Sequence, residues 1–455
     1  MAAIVSKEFR VLNADNFVDT ISSQSVYTFV GKSDPWNDVL TATSDGDPAT
    51  PADQFSVIQD AHANMIAMKK VGTSDVIHMI RRVDWTAGET YVPYDDRDPD
   101  IWDKDFYSIT DELKVYKLIN KTLAAGAVSV KPTHTTIAPT DNGDGYLWKY
   151  MYTVSGADSD KFLTNSYMPV KTVTLPAGGI SELPEADQTQ YTNQQSAKTN
   201  LSGKVYRIKV TNGGTGYTAA PSIEIDGNGT GCTATATILN GQLSEITVTN
   251  NGTGYSIARV IITNGQGDTT GTGAEAEVVI SPENGHGYDP VQELGSYYVC
   301  VNTRLEYEEG DGDFIVDNDF RQVGIIANPT DGTNVLTGTT LSALNYLQMA
   351  SHANFAADDI IEGQTSGAVA YIDSYDAQNG IIKYHQNYKT GFTQFQAGEA
   401  IRREGQANDD GAIAANGVNT SEYQKFSGKV LFLENRAPIN RSGQQIEDIK
   451  IILEF

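Results

Sequence analysis

Only two cysteines, Cys232 and Cys300, occur in 455 residues. That excludes a disulfide scaffold and fits assembly in a reducing compartment. Basic residues are also scarce. Thirty-two Lys and Arg stand against 58 Asp and Glu, a formal net charge of −26. So acidic a surface repels nucleic acid and anionic membranes, and it suits partners with basic patches. No apolar run reaches the roughly 18 residues of a membrane span. The opening, MAAIVSKEFRVLN, lacks the apolar stretch of a signal peptide. The expectation is a protein made in a host cytoplasm and soluble there. The six histidines, His62, His78, His134, His286, His352 and His385, form no HxH or HxxxH pair. Zinc-ligand spacing is therefore missing, and no cofactor or metal is expected.

What is present points to β structure. The chain carries 42 Gly and 23 Tyr. Glycine supplies positive φ for tight turns, and tyrosine suits a half-buried pleated surface. The length allows two or three domains. SVYTFVGKS (25–33) alternates and reads as a strand, within a first 50 residues of mixed strand and turn signals. TPADQFSVIQDAHANMIAMKKVG (50–72) reads as one helix, with Thr50 as N-cap, Pro51 in the first turn and Asp53 three residues on. Phe55, Ile58, His62, Met65 and Met68 share one stripe, where His62 reads as a packed histidine. DVIHMIRRVDW (75–85) follows, and Arg81, Arg82 and Asp84 are expected to form an ion pair beside Trp85.

VPYDDRDPDIWDKD (92–105) holds six Asp but lacks regular cation-loop spacing, so it reads as a solvated loop. DELKVYKLIN (111–120) reads as a strand. In GDGYLWKYMYTV (143–154), Tyr146, Trp148, Tyr150 and Tyr152 fall on one strand face, with Leu147, Met151 and the stem of Lys149 on the other. Residues 175–200 are polar without period and read as a linker or surface loop.

Two segments repeat. VTNGGTGY (210–217) returns as VTNNGTGY (248–255), shifted by 38 residues. Each copy reads as strand, Gly turn, strand, Gly turn, strand, with Gly214, Gly216, Gly252 and Gly254 in turns and Tyr217 and Tyr255 capping them. No helix follows, so a phosphate cradle is excluded. A pattern F-x-x-x-(D/E)-x-I occurs at Phe355, Asp359 and Ile361 and again at Phe395, Glu399 and Ile401. The acids Glu306, Glu308, Glu309, Asp311 and Asp313 could supply a glycosidase pair, which needs carboxylates roughly 5–9.5 Å apart, but they read as a solvated loop.

Outside the repeats, five pieces stand in order: VGKSDPWND (30–38), IRRVDW (80–85), GDGYLWKYMYTV (143–154), DFRQVGIIANP (319–329) and GKVLFLENRAPINRSGQQIEDIKIILEF (428–455). Together they resemble the motifs of a baseplate wedge subunit of contractile-tailed bacteriophages of the T-even group. The resemblance covers roughly residues 1–170, 296–330 and 425–455. It implies a mainly β protein, a β-sandwich built from both chain ends with an inserted second β domain; the small β-repeat insertions, read from the residues themselves, depart from it, and few short helices are expected. On that basis 1–87 with 296–339 and 421–455 form the frame, 88–204 with 282–295 the inserted domain, and 205–281 and 340–420 two small β insertions. The implied role is structural: a homodimer binding other wedge subunits in a virion baseplate, with no catalytic residues, nucleic acid, membrane or small-molecule substrate. The alternatives are a glycan- or receptor-binding protein and a tail polysaccharide hydrolase. In the last piece, 429–434 reads as a strand, Pro438 as a turn with Arg436 pairing at the corner, and 446–455 as a strand running to the final residue.

Overall fold

The computed structural model describes residues 4–41, 44–305, 315–442 and 445–455. The protein is mainly β, with 40% strand against 15% helix, in several sheets and a small closed barrel. Its chain divides into two compact units. One comprises Met1–Asn16, Ile77–Cys300 and Ile452–Phe455, the other Phe17–Val76 and Val301–Ile451.

In the second unit, an antiparallel sheet runs in the order Thr340–Ser342, Met65–Lys70, Val26–Gly31, Asn318–Ala327, Lys429–Arg441. Tyr27, Phe29, Met65, Met68, Ile326, Leu341 and Tyr423 form its core. The long helix expected over 50–72 is shorter. It spans Phe55–Asn64 behind Gln54, and Met65 turns the chain into a strand. Pairing Phe29 opposite Met68 buries both methionines in the sheet, and that tertiary gain outweighs helical propensity. A Cβ on Gly31 would lie 2.8 Å from the Asn64 carbonyl oxygen, so the helix end can press against this strand only where a side chain is missing. The turn expected at Pro438 is a bulge inside one strand, Lys429–Arg441. Asn435 faces Gln322 and Ile439 faces Phe320, which leaves Arg436, Ala437 and Pro438 opposite Arg321. Proline, having no N–H, is tolerated there.

The same unit carries the closed barrel, in which Asn345–His352, Ile381–His385, Val369–Asp376, Ile360–Gly363, Ala400–Arg403 and Gly411–Asn419 pair in a ring around Leu347, Ile361, Ile372, Ile382 and Ile401. The repeated F-x-x-x-(D/E)-x-I pattern has one geometry. Phe355 and Phe395 are buried, and Asp359 and Glu399 each accept from the backbone N–H three residues earlier, Ala356 and Gln396. The strands that follow pair with each other, Glu362 opposite Arg402.

In the first unit, Tyr146–Thr153 lies between Lys114–Lys121 and Thr140–Asp141. Tyr146, Trp148 and Tyr150 pack in one aromatic cluster with Tyr91 and Tyr116, but Tyr152 does not share their face as expected. The register steps from Tyr116 opposite Tyr150 to Val115 opposite Tyr152, so Met151 is an extra bulged residue and sends Tyr152 into another core. The loop expected over 175–200 contains a 17-residue helix, Glu185–Leu201. Its buried residues, Gln190, Gln194, Ala197 and Leu201, have helical spacing, but two are amides and a hydrophobic pattern misses them. Gln194 clamps Val173, accepting from its N–H at 3.0 Å and donating to its carbonyl at 3.1 Å. The early residues are helical too. Lys7–Ser23 buries Val11, Ala14 and Ile21 but leaves Phe9 and Leu12 half exposed, so no single stripe marks it.

The first duplicated segment, also in this unit, is intertwined. The first strand of copy one, Arg207–Thr215, pairs with the last strand of copy two, Thr272–Val279. Correspondingly, Thr230–Leu239 pairs with Gln242–Thr253, and the middle strands Ser222–Gly227 and Ala258–Thr263 pair with each other. Ile208 faces Ile246, its own equivalent, so a local two-fold passes between them. Gly214, Gly216, Gly252 and Gly254 have φ of 63°, 76°, 61° and 77°, the left-handed region that favours glycine. Even the side-chain clasps are exchanged. Asp268 of copy two accepts from Thr218 N, and Asn228 of copy one accepts from Ser256 N.

Candidate functional site

The second unit holds a buried charge network. The segment 32–38 leaves its strand and brings Lys32, Ser33 and Asp34 to the barrel residues Asp373, His385 and Lys389. His385 stands between two carboxylates, Nδ1 at 2.8 Å from Asp373 and Nε2 at 3.5 Å from Asp34, all three side chains fully buried. Lys32 and Lys389 donate to the other Asp34 oxygen at 3.0 and 2.8 Å, and Ser33 donates to Asp373. Burial alone would lower the imidazole, but the charges of Asp373 and Asp34 and the hydrogen bond to Asp373 push it up to about 9. Burial would raise Asp34, yet His385, Lys32 and Lys389 hold it far below the usual carboxylate range. A serine, a histidine and an aspartate meet here without a nucleophile arrangement, because Ser33 donates to the carboxylate and not to the imidazole.

Above this network opens a cleft of about 560 Å³. Trp36 and Asp38 come from the loop, Asp60 from the helix Phe55–Asn64, Gln322 and Asn435 from paired strands, and Tyr388, Phe392 and Phe426 from two further loops. Three of the five motifs that carry the family resemblance, 30–38, 319–329 and 428–455, thus meet around it. Tyr388, Phe392 and Phe426 are about half exposed, and the two Phe rings meet edge to face at 6.3 Å. Asp60 is raised above the ordinary carboxylate range by burial, and its Oδ1 has no hydrogen-bond partner. Gln322 is 2% exposed, and its Oε1 is likewise unpartnered. Sequence reasoning missed this cleft, since its parts lie up to 400 residues apart.

A second cleft, about 640 Å³, is lined by Asp45, Arg321, Asp358, Asp359 and Arg403. Both of its guanidiniums hold carboxylates, although Arg403 Nε has no partner. Arg321 forks onto Asp45 and Asp319, and Arg403 bonds Asp410 at 3.0 Å. Asp358 is pushed up to about 6 by burial, with Asp319 and Asp373 acting the same way.

The sequence candidates are placed as follows. His62 is buried, bonded through Nδ1 to the Tyr423 hydroxyl, and lowered to about 4 by burial, hence neutral. Of the aspartates in 92–105, Asp95 bonds Lys209, Asp98 bonds Lys104, and Asp96 accepts from Ile280 N. Arg82 pairs with Asp84 at 2.9 Å, whereas Arg81 lies 3.8 Å from Asp105. Arg436 pairs with the exposed Glu434 at 2.9 Å. Glu306, Glu308, Glu309, Asp311 and Asp313 lie outside the described residues. Lys149, whose stem was expected on the face opposite the aromatics, is wholly buried and lowered to about 8 by burial. Nearby, Lys117 and Glu293 form a fully buried pair at 2.9 Å. Cys232 is half-buried and Cys300 buried. Among the described residues, no group of three or more His, Cys, Asp or Glu could hold a metal ion, and no helix is long and apolar enough to cross a membrane.

Compared with known proteins, the chain matches no family model, and no curated protein matches it.

Proposed function

We propose that this protein is a structural subunit of a contractile phage tail baseplate, a wedge component that dimerises and binds neighbouring wedge proteins. The reading is supported by the five ordered motifs. The observation that carries it is the bare outer side of the helix Lys7–Ser23. Phe9 and Leu12, three residues apart, are 50% and 51% exposed, and Ile4 and Val5 just before the helix are more so. Large apolar side chains grouped on one face mark a surface that a partner covers. On another side, Val11 and Arg10 fix the first half of the helix to the first unit, where Arg10 bonds Glu454 at 2.7 Å and the Phe455 carbonyl. Such a stripe is a rigid handle, suited to holding neighbours in one geometry.

Light scattering tests this. The purified protein is expected to run as a dimer, and the double variant Phe9→Ser, Leu12→Ser as a folded monomer. A monomeric wild type that is also absent from assembled tails would remove the proposal. So would turnover of a host surface glycan that Asp358→Asn abolishes.

A further inference from the structure

We propose that the aromatic cleft of the second unit receives an arginine side chain from a neighbouring protein chain. Its guanidinium would be accepted by the Gln322 and Asp60 oxygens and flanked by the rings of Tyr388, Phe392 and Phe426.

The hydrogen-bond inventory of the walls selects the ligand. Trp36 Nε1 donates to the Arg436 carbonyl at 2.7 Å, and Asn435 Nδ2 to the Ala49 carbonyl at 2.8 Å. Gln322 Nε2 donates to Asn435 Oδ1 at 2.9 Å, and the Tyr388 hydroxyl to Asp38 at 3.0 Å. These four donors are engaged, as is Lys32 on Asp34, and Thr50, Ser56 and Gln59 line the outer wall, whereas Gln322 Oε1 and Asp60 Oδ1 are buried acceptors without a donor. A buried acceptor left unpaired is costly, so the cleft favours a ligand that donates to both. Arginine has five N–H donors and no acceptor, and its plane stacks on aromatic rings. A phosphate brings acceptors and negative charge, which these two oxygens cannot satisfy. The chain's net charge of −26 draws a cationic partner.

Asp60 must be ionised to serve. Burial raises it; Asp34 acts the same way, while Lys32, Asn64 and Lys389 oppose. Asp38 and Tyr388 are the other titratable groups lining that cleft with Lys32. An incoming guanidinium lowers the Asp60 carboxyl, so binding releases a proton and weakens as pH falls through the raised range.

The inference rests on the subunit reading for the source of the arginine. The full chain is titrated by calorimetry and saturation-transfer NMR with acetyl-arginine amide, its neutral isostere acetyl-citrulline amide, acetyl-lysine amide and maltotriose. Arginine is expected to bind, with citrulline, lysine and the Asp60→Asn variant each about tenfold weaker or more, and with no maltotriose binding. Asp60→Asn removes a desolvated charge, so it folds and melts no lower than wild type at neutral pH, which keeps the comparison interpretable. Equal binding of arginine and citrulline, undiminished arginine binding by Asp60→Asn, or maltotriose binding in place of arginine would overturn the inference. A dimer that ignores arginine would sink the cleft assignment alone. A monomer that binds it and is absent from assembled tails would sink the subunit reading alone.

Discussion

His385 shows how much one side chain can hold. Its imidazolium contacts both Asp34 and Asp373, so removing it takes a positive charge from between two buried carboxylates. His385→Asn is expected to cost about 3–5 kcal/mol, the penalty for breaking a buried charge pair. The pH dependence has a definite sign. The folded value near 9 lies above the unfolded value of about 6.5. The stabilisation is therefore complete below about pH 6.5 and is lost as pH rises through 9. Thermal melts between pH 6 and 10 should show a fall in wild type that is absent in His385→Asn. That difference isolates the imidazole from Lys149 and Lys425, each lowered to about 8 by burial, which act in the opposite direction. A midpoint difference independent of pH would refute the assignment. None of this was legible from residue spacing. A histidine that pairs with Asp34 from 351 positions away in the chain leaves no local pattern.

At the level of elements, period-two aromatics and glycine-rich turns were readable, because strands and turns write their geometry into neighbouring residues. The helix Glu185–Leu201 was not, since two of its four buried residues are glutamines. The bulge at Met151 was equally silent, because one inserted residue leaves the alternation intact while reversing what it faces. The repeat turns allow a graded test. A Cβ on Gly214 would lie 2.4 Å from the Thr272 carbonyl oxygen, whereas one on Gly231 has its nearest neighbour at 3.9 Å. Both have positive φ, so Gly231→Ala should cost about 1 kcal/mol from backbone strain alone. Gly214→Ala should cost clearly more, because backbone must also move. Denaturant titration measures both, and equal losses would contradict the close approach seen at Gly214.

For the whole molecule, the two repeat modules were visible as repeats, but their internal exchange of partners was not, because sequence similarity does not say which copy pairs with which. The exchange makes a prediction about deletions. Removing 205–281 entire is expected to leave dimerisation intact, whereas removing only 205–241 strips Gln242–Thr253 and Thr272–Val279 of their partners and yields an aggregating protein. Solubility and light scattering of the two deletions decide it. If the half-deletion stayed soluble and dimeric, the pairing between copies would be dispensable.

That interleaving has one more consequence. A solitary 38-residue copy cut loose from this chain would own only half of every ladder, so it could become ordered only by meeting its twin. Joining the twins in tandem makes their meeting unimolecular, and the ornament folds the same way however dilute the protein becomes.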